Sequence, residues 1–199
     1  MKYFFSMCVW VFVITMAIGY VLPAVERMVS CQVAESYSTQ MNIFYLDSDP
    51  VSCASMHCDK HVVKMMIEYA QQMSTAHRLL DYITDDRLYK ASYKNHPCNV
   101  WVRSSIHHYI WLYRMWSALS NEYTKRYDKV HASWDRLHNV LAGAPKRIPK
   151  RGWVEPPMCM PLEFIEAKST IAAYREYYMK KKSRFAKWKY SPAPKWFLA

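Results

Sequence analysis

The sequence contains little glycine: Gly19, Gly143 and Gly152 are the only three among 199 residues. The phosphate-binding loops of nucleotide-binding folds need several closely spaced glycines, because their backbone must approach the phosphate groups. P-loop and Rossmann-type folds are therefore excluded. No internal repeat is visible in the chain either.

Paired cysteines are also missing. The six cysteines show neither a CxxC pair nor a regular spacing, and they stand at positions 8, 31, 53, 58, 98 and 159. A chain of this length has enough residues for a real core, and cysteines in this pattern are typical of reduced thiols in a cytosolic protein. We therefore predict that the cysteines are free and buried.

Acidic residues are few: 16 Asp and Glu stand against 27 Lys and Arg, which gives a net charge of +11. Residues 1–40 hold two basic and two acidic side chains, so the whole excess lies on residues 41–199. Aromatic residues make up 16% of the chain and are interleaved with those cations. This combination predicts a polyanionic partner with stackable rings, DNA or RNA. The alternative is a basic protein without such a ligand.

The first forty residues differ from the rest. Residues 3–25 contain no charge and are long enough to span a bilayer. Three interpretations stay open: a membrane anchor, a signal peptide, or a false start, with translation beginning at Met41. We expect a cytoplasmic protein in the last case and a membrane-anchored one if residues 1–40 are real and retained. Residues 41–199 are predicted to form a single α-helical, nucleic-acid-binding or catalytic domain.

The stretch 57–77, HCDKHVVKMMIEYAQQMSTAH, has two stripes at helical spacing. The apolar stripe predicts a helix packed on a core. The polar stripe predicts five side chains on one side of that helix. Its members are His57, His61, Lys64, Glu68 and Gln72.

The predicted fold is mostly α: a compact bundle of three main helices plus shorter helices and extended basic loops, preceded by the hydrophobic N-terminal segment. Asp49 and Pro50 are typical of a helix start. From there the pattern predicts helices over about 50–56, 57–80, 97–127, 132–141 and 163–187. The segments 81–97 and 144–161 are predicted to be loops, the second one extended and basic.

Two sets of residues on the first long helix indicate possible chemistry. His57, Cys58 and His61 are potential ligands of zinc or iron, although ordinary hydrogen-bonding roles compete with this interpretation. Glu68 lies near the predicted core, where burial would raise its pKa enough for proton transfer near neutral pH. The alternative is a simple ion pair with Lys64.

The predicted nucleic-acid contacts lie outside that helix. Lys94, Asn95 and His96 precede a helix start, where free amides favour a phosphate, although an ordinary capping turn explains the same residues. Cations fix the nucleic-acid backbone and rings stack on bases. The other predicted contacts are Arg103, Lys146, Arg147, Lys150, Arg151, Lys195 and Trp196.

Several motifs occur together and in a characteristic order: MNIFYLDSDP, HCDKHVVKM, STAHR, YKNHPC, WVR and NEYTKRY. This set resembles a group of small phage proteins. More distantly, over most of residues 41–199, its layout is similar to that of the pyrimidine-dimer DNA glycosylases of the phage endonuclease V type. YKNHP is the most specific shared motif.

The resemblance implies an all-α enzyme without a cofactor, which flips a nucleotide of damaged or modified DNA. In that family the N-terminal α-amine attacks the sugar C1′ and the strand breaks through a Schiff base. An α-amine is a suitable nucleophile because its pKa is about 7.7–8.0, against about 10.4 for lysine. By resemblance Glu68 is the acid/base, and the amine belongs to Met41 or Asn42. Our own hypothesis adds that His61 and Lys64 assist Glu68.

The sequence departs from that family in two ways. Arginines flank the catalytic Glu there, whereas Ile67 and Gln71 stand near Glu68. A retained N-terminal extension would also place the Met41 nitrogen in a peptide bond and end the amine chemistry. Lys60 or Lys64 would replace the amine only if strongly desolvated.

The sequence therefore predicts a DNA-binding protein, and more specifically a DNA glycosylase with AP lyase activity. Two alternatives stay open: a metal-dependent enzyme that uses His57 and His61, and a non-catalytic protein that binds nucleic acid or a host factor. The sequence does not predict the oligomeric state.

Overall fold

The computed structural model describes residues 41–165 and 168–198. Within these residues the chain forms seven α-helices and no strand, which confirms the mostly α prediction. The helices are α1 (Pro50–Ser55), α2 (Asp59–Leu80), α3 (Pro97–Ser104), α4 (Ile106–Tyr127), α5 (Ala132–Leu141), α6 (Thr170–Tyr177) and α7 (Lys195–Leu198). A 3-10 turn covers Leu162–Phe164, and a π-helical segment, Tyr178–Lys182, follows α6 directly.

The local signals at the start of the domain act as predicted. The Asp49 side chain accepts a hydrogen bond from the Ser52 amide, and Pro50 occupies the first turn of α1. The apolar stripe of α2 is buried from Val62 to Ala76. His57, however, lies before α2, so the predicted polar stripe is divided between the helix and the turn that precedes it.

Two helices of 22 residues, α2 and α4, dominate the described structure, rather than three main helices. The two pack against each other; α3 and α5 also contact α2, and α1 contacts α4. The indole N–H of Trp116 in α4 donates to the Met66 carbonyl in α2 across 2.9 Å. Both side chains are fully buried, so this contact lies in the centre of the core.

The prediction of one helix over 97–127 is wrong because Ser105 is extended, with φ −153° and ψ 144°. Its side chain caps α4 by accepting from the His107 amide. The basic loop supplies the partners that make this break: Ser105 Oγ donates to the Arg151 carbonyl (2.6 Å), and the Ile106 amide donates to the Pro149 carbonyl (2.9 Å). The predicted helix is therefore two helices, α3 and α4.

The prediction of one helix over 163–187 is also wrong. Pro161 precedes a short 3-10 turn, and the Ser169 side chain caps a new helix, α6, by accepting from the Ala172 amide. The π-helical segment follows, and after it the amides of Phe185 and Ala186 both donate hydrogen bonds to the Lys182 carbonyl. This turn ends the helical region that begins with α6.

Residues 1–40 lie outside the described residues, so the membrane anchor, the signal peptide, the false start and the domain boundary at residue 40 stay predictions. Among the helices of the described residues, none combines the length and the apolar character that crossing a bilayer requires. The cysteines of the described part are free and buried, as predicted.

Arg126 connects three parts of the fold from a completely buried position. Its guanidinium donates to the Glu122 carboxylate (2.9 Å) and the Asp59 carboxylate (3.1 Å). It also donates to the carbonyls of Ser55 (3.1 Å) and His57 (2.8 Å), at the junction of α1 and α2. A buried charge is tolerated only when it is paired in this way.

Replacing Arg126 with alanine should lower the free energy of unfolding by about 3–5 kcal/mol, because two carboxylates would lose their buried partner. Urea denaturation followed by circular dichroism measures this change. Lys125→Ala is the matched control, since Lys125 is an exposed partner of the same Glu122. Its loss should cost no more than about 1 kcal/mol. Equal losses in the two variants would contradict the role assigned to Arg126.

Candidate active site

Glu68 lies on α2, half-way between the protein interior and solvent, with 13% of its side chain exposed. Lys64, one turn earlier, pairs with it across 3.0 Å and is itself 55% exposed. Burial raises the pKa of Glu68 above its ordinary value, while Lys64, the Met41 amide and the charge of Lys182 oppose that shift. Glu68 is therefore near cations and is not sealed under apolar side chains.

The segment 41–46 crosses the interior next to Glu68, and all its residues are buried. The Met41 backbone N–H donates to the Glu68 carboxylate. The Met41 carbonyl accepts from Gln72 Nε2 across 2.7 Å, while Gln72 Oε1 is buried without a hydrogen-bond partner. Glu68 and Gln72 lie one helical turn apart; Glu68 binds the backbone N–H of Met41, and Gln72 binds its carbonyl.

Asn42 is fixed by residues from the C-terminal third of the chain. Its Nδ2 donates to the Cys159 carbonyl (2.8 Å), and its Oδ1 accepts from the Tyr174 hydroxyl (2.7 Å). The Cys98 thiol lies 3.8 Å from the same oxygen. Asn42 therefore anchors the backbone that carries Met41.

The two predicted histidines have packing roles. His57 is bonded at both ring nitrogens, to the Cys53 carbonyl and the Tyr69 hydroxyl, each at 2.9 Å. His61 stacks on Phe44 with 4.3 Å between the ring centres, and burial holds its pKa well below the ordinary value. Both rings are therefore neutral near physiological pH.

The structure does not bring His57, Cys58 and His61 together as metal ligands. Within the described part of the chain, one group of three places its ligand atoms within 4.8 Å of one another, and it consists of His96, Cys98 and Cys159. All three residues are buried. The Cys98 and Cys159 sulfurs are 3.6 Å apart.

Lys182 is the second lysine near Glu68, and it comes from the π-helical segment. Its ammonium lies 4.8 Å from the centre of the Tyr177 ring and 6.0 Å from that of Phe44. Burial lowers the pKa of Lys182, and the nearby charges of Lys64 and Arg184 lower it further. Lys60 and Lys64 are both exposed, so neither is the desolvated lysine that the amine chemistry would need.

A groove with a volume of about 480 Å³ opens beside Lys182. Four cations share its lining with one aromatic ring and one proline; the residues are Pro161, Tyr177, Lys180, Lys181, Lys182 and Arg184. Such a lining suits a nucleic-acid strand, because cations bind its phosphates and an aromatic ring can pack on a sugar or base. The groove therefore continues the positive charge beside Glu68, from Lys182 to the other cations of its lining.

The predicted phosphate turn has a structural role at one of its three residues. Lys94 and Asn95 are exposed, whereas His96 is 1% exposed and caps α3 by accepting from the Cys98 amide. Arg103 donates to the Lys94 carbonyl across 2.7 Å. The side chains that remain available to a phosphate are those of Lys94 and Asn95.

The remaining predicted contacts lie away from Glu68. The amides of Lys146 and Arg147 donate to the Asp81 carboxylate at the end of α2. Thirteen residues of helix separate Asp81 from Glu68, about 20 Å at a rise of 1.5 Å per residue. Lys150 and Arg151 are exposed on the same loop.

At the other end of the chain Lys195 is exposed, but Trp196 is packed into the protein. The Trp196 indole N–H donates to the Met56 sulfur (3.4 Å), and the Arg175 guanidinium lies 5.5 Å from its ring centre. The ring therefore packs on the domain itself rather than standing ready to stack on a base.

The chain also matches a known family over part of its length. Residues 41–136 match the family model described as pyrimidine dimer DNA glycosylase. The match confirms the resemblance seen in the motifs and supports a function of the DNA glycosylase type. No curated protein and no solved structure gave a significant match.

Sequence reasoning did not give a role beside Glu68 to three residues that complete the site: Gln72, Tyr174 and Lys182. Gln72 was placed on the polar stripe of the helix, one turn after Glu68, but its bond to the Met41 carbonyl was not predicted. Tyr174 and Lys182 lie beyond residue 136, outside the family match, and more than a hundred residues from the segment that they contact. No spacing rule relates positions so far apart.

Glu68→Gln should make the protein more stable at neutral pH. A carboxyl group with a raised pKa binds its proton more tightly in the native state, so native stability falls as pH rises from 4.5 through the raised value. A glutamine has no such loss. Urea denaturation should therefore give Glu68→Gln a higher free energy of unfolding than the wild type at about pH 7.5, and the difference should disappear at about pH 3.5. Glu163→Gln, which removes an exposed carboxylate, is the control. A neutral-pH loss in Glu68→Gln alone would contradict the burial argument.

Proposed function

We propose that the protein is a DNA glycosylase with AP lyase activity that acts on damaged or modified bases. The observation that carries the proposal is the hydrogen bond from the Met41 backbone nitrogen to the Glu68 carboxylate. The nitrogen that serves as nucleophile in the resembling family thus lies against the acid/base. The match of residues 41–136 to that family supports DNA as the substrate.

The covalent chemistry requires a free amine at Met41 and is therefore a property of a chain that begins there. The amine attacks C1′, the bond from C1′ to the base breaks, and the base leaves with a proton. The sugar ring then opens: the C1′–O4′ bond breaks, O4′ takes a proton, and C1′ and the amine nitrogen form an iminium. The iminium acidifies the C2′ hydrogen, and loss of that proton forms the C2′–C3′ double bond and expels the 3′ phosphate. Glu68 is suited to moving these protons because its raised pKa brings it closer to neutral pH.

Lys64 and Lys182 supply the positive charge that the family obtains from arginines beside its Glu. Lys64 forms an ion pair with Glu68. The charge of Lys182, which lies on the π-helical segment, lowers the pKa of Glu68. A strand whose phosphates follow the groove at Lys180, Lys181 and Arg184 would pass beside Lys182 and bring a flipped nucleotide towards Glu68. His61, although neutral, lines this region by stacking on Phe44.

Borohydride trapping tests the mechanism. A chain that starts at Met41 should form a covalent complex with duplex DNA that contains an abasic site, because borohydride reduces the Schiff base. Glu68→Gln should lower the rate of trapping by about 100-fold or more, the usual contribution of a positioned acid/base.

Glu155→Gln is the matched control, since Glu155 is an exposed carboxylate on the basic loop. It should trap at the wild-type rate. The chain that retains residues 1–40 should not trap, because its Met41 nitrogen is an amide. Trapping that is equal in the wild type and in Glu68→Gln would refute the role of Glu68.

Salt dependence tests the groove. Lys182→Gln combined with Arg184→Gln should lower the slope of log binding constant against log salt by about 1.8, since each phosphate contact to duplex DNA contributes about 0.9. Lys125→Gln combined with Lys129→Gln removes two exposed cations at the end of α4 and should leave the slope unchanged. Filter binding or fluorescence anisotropy on the same duplex measures both. An unchanged slope in the groove variant would remove the groove from the DNA path.

A further inference from the structure

His96, Cys98 and Cys159 form a buried cluster that the proposed glycosylase chemistry does not use. Two of them lie at the start of α3 and the third in the loop before the 3-10 turn. One ligand atom from each lies within 4.8 Å of the other two. Imidazole and two thiols are a ligand set that zinc favours.

The spacing of the two sulfurs matches a shared metal better than a disulfide. A disulfide places its sulfurs about 2.05 Å apart. Two thiolates on one tetrahedral zinc ion, each with a bond of about 2.3 Å, lie about 3.8 Å apart. The Cys98 and Cys159 sulfurs are separated by 3.6 Å. The cluster therefore has nearly the separation that zinc ligands need.

The neighbours of the cluster are arranged as outer partners of a metal site. His96 Nδ1 accepts from the Cys98 amide (3.1 Å), so it is the unprotonated ring nitrogen, and zinc would take the place of that amide at its single lone pair. Burial and the neighbouring Cys159 hold the pKa of the Cys98 thiol well above its ordinary value, so zinc would displace a proton on binding; the hydrogen bond from the Ile43 amide acts in the opposite direction and favours the thiolate. Asn42 Oδ1 lies 3.8 Å from the same sulfur, close to the spacing of about 3.6 Å between sulfur and oxygen ligands of one zinc ion.

Charge also favours a dication at this position. Two thiolates and a neutral imidazole carry a charge of −2, which a single Zn²⁺ ion cancels, so the buried group as a whole would be neutral. The cluster lies in a region where all three side chains are buried, and an uncompensated charge would be costly there.

We propose that His96, Cys98 and Cys159 bind one zinc ion, with Asn42 at the fourth position. The ion would fasten the segment 41–46 to α3 and to the loop that carries Cys159. It would thereby fix Met41 beside Glu68. The site is a positioning centre rather than a source of reactive water, and it stands independently of the glycosylase chemistry.

Cobalt titration of the full-length wild-type protein tests the site without any variant. Co²⁺ should bind with a stoichiometry of one and give a thiolate-to-cobalt charge-transfer band together with strong visible bands of tetrahedral cobalt. Zinc should displace it. The absence of a charge-transfer band would overturn the proposal. So would an intact Cys98–Cys159 disulfide in protein purified without reductant under nitrogen, since it would identify a redox pair instead.

Cys98→Ser and Cys159→Ser should each weaken zinc binding by more than about tenfold, at least the cost of losing an outer-shell partner. Cys58→Ser is the matched control: Cys58 is another buried thiol, it lies outside the cluster, and serine is a favoured residue at its N-cap position. Competition with a chromophoric chelator measures all three affinities. Equal zinc affinity in Cys98→Ser, Cys58→Ser and the wild type would also overturn the site.

Discussion

The segment 41–46 lies in the interior, and the described part of the chain offers it no partner strand, so its backbone groups need hydrogen bonds from side chains. The Met41 carbonyl receives one from Gln72, and the Phe44 amide gives one to the Tyr69 hydroxyl. The Phe44 carbonyl accepts from the Cys53 thiol and the Leu46 carbonyl from Arg175. Each bond comes from a different place on α1, α2 or α6. The helices must therefore be in position together before this segment can be buried.

That constraint also forms the site. Gln72 lies one helical turn after Glu68, so the residue that satisfies the Met41 carbonyl brings the Met41 nitrogen to the carboxylate. Asn42, held by Cys159 and Tyr174, prevents the backbone from sliding along α2. The same side chains thus satisfy buried backbone groups and align the reactive ones. In the proposed mechanism, structural and chemical roles coincide because the proposed nucleophile is a main-chain atom.

Much of the fold could be predicted from local signals. The start of α1 at Pro50 and the limits of α5 depend on caps and periodicity within a few residues, and both predictions are confirmed. The break at Ser105 could not be found in this way, since its partners come from Pro149 and Arg151, more than forty residues later. Glu68 was identified from its place on a helix. The proximity of Lys182 to Glu68 was not predicted, because only the folded chain brings the two residues together.

The histidines show a different limit. His57 and His61 share the spacing of metal ligands, yet one is fully hydrogen-bonded and the other stacks between rings. The cluster that does converge joins His96 and Cys98 to a cysteine 61 residues further along the chain. Spacing along the sequence therefore did not predict which side chains converge.

The bond between Asn42 and Tyr174 spans 132 residues of sequence. Contacts of such large separation close late in folding, because the entropy of a long loop must be overcome first. During synthesis, α1 and α2 leave the ribosome well before α6 exists. The arrangement around Glu68 is consequently assembled only after nearly the whole polypeptide has emerged, so a truncated nascent chain has no completed centre.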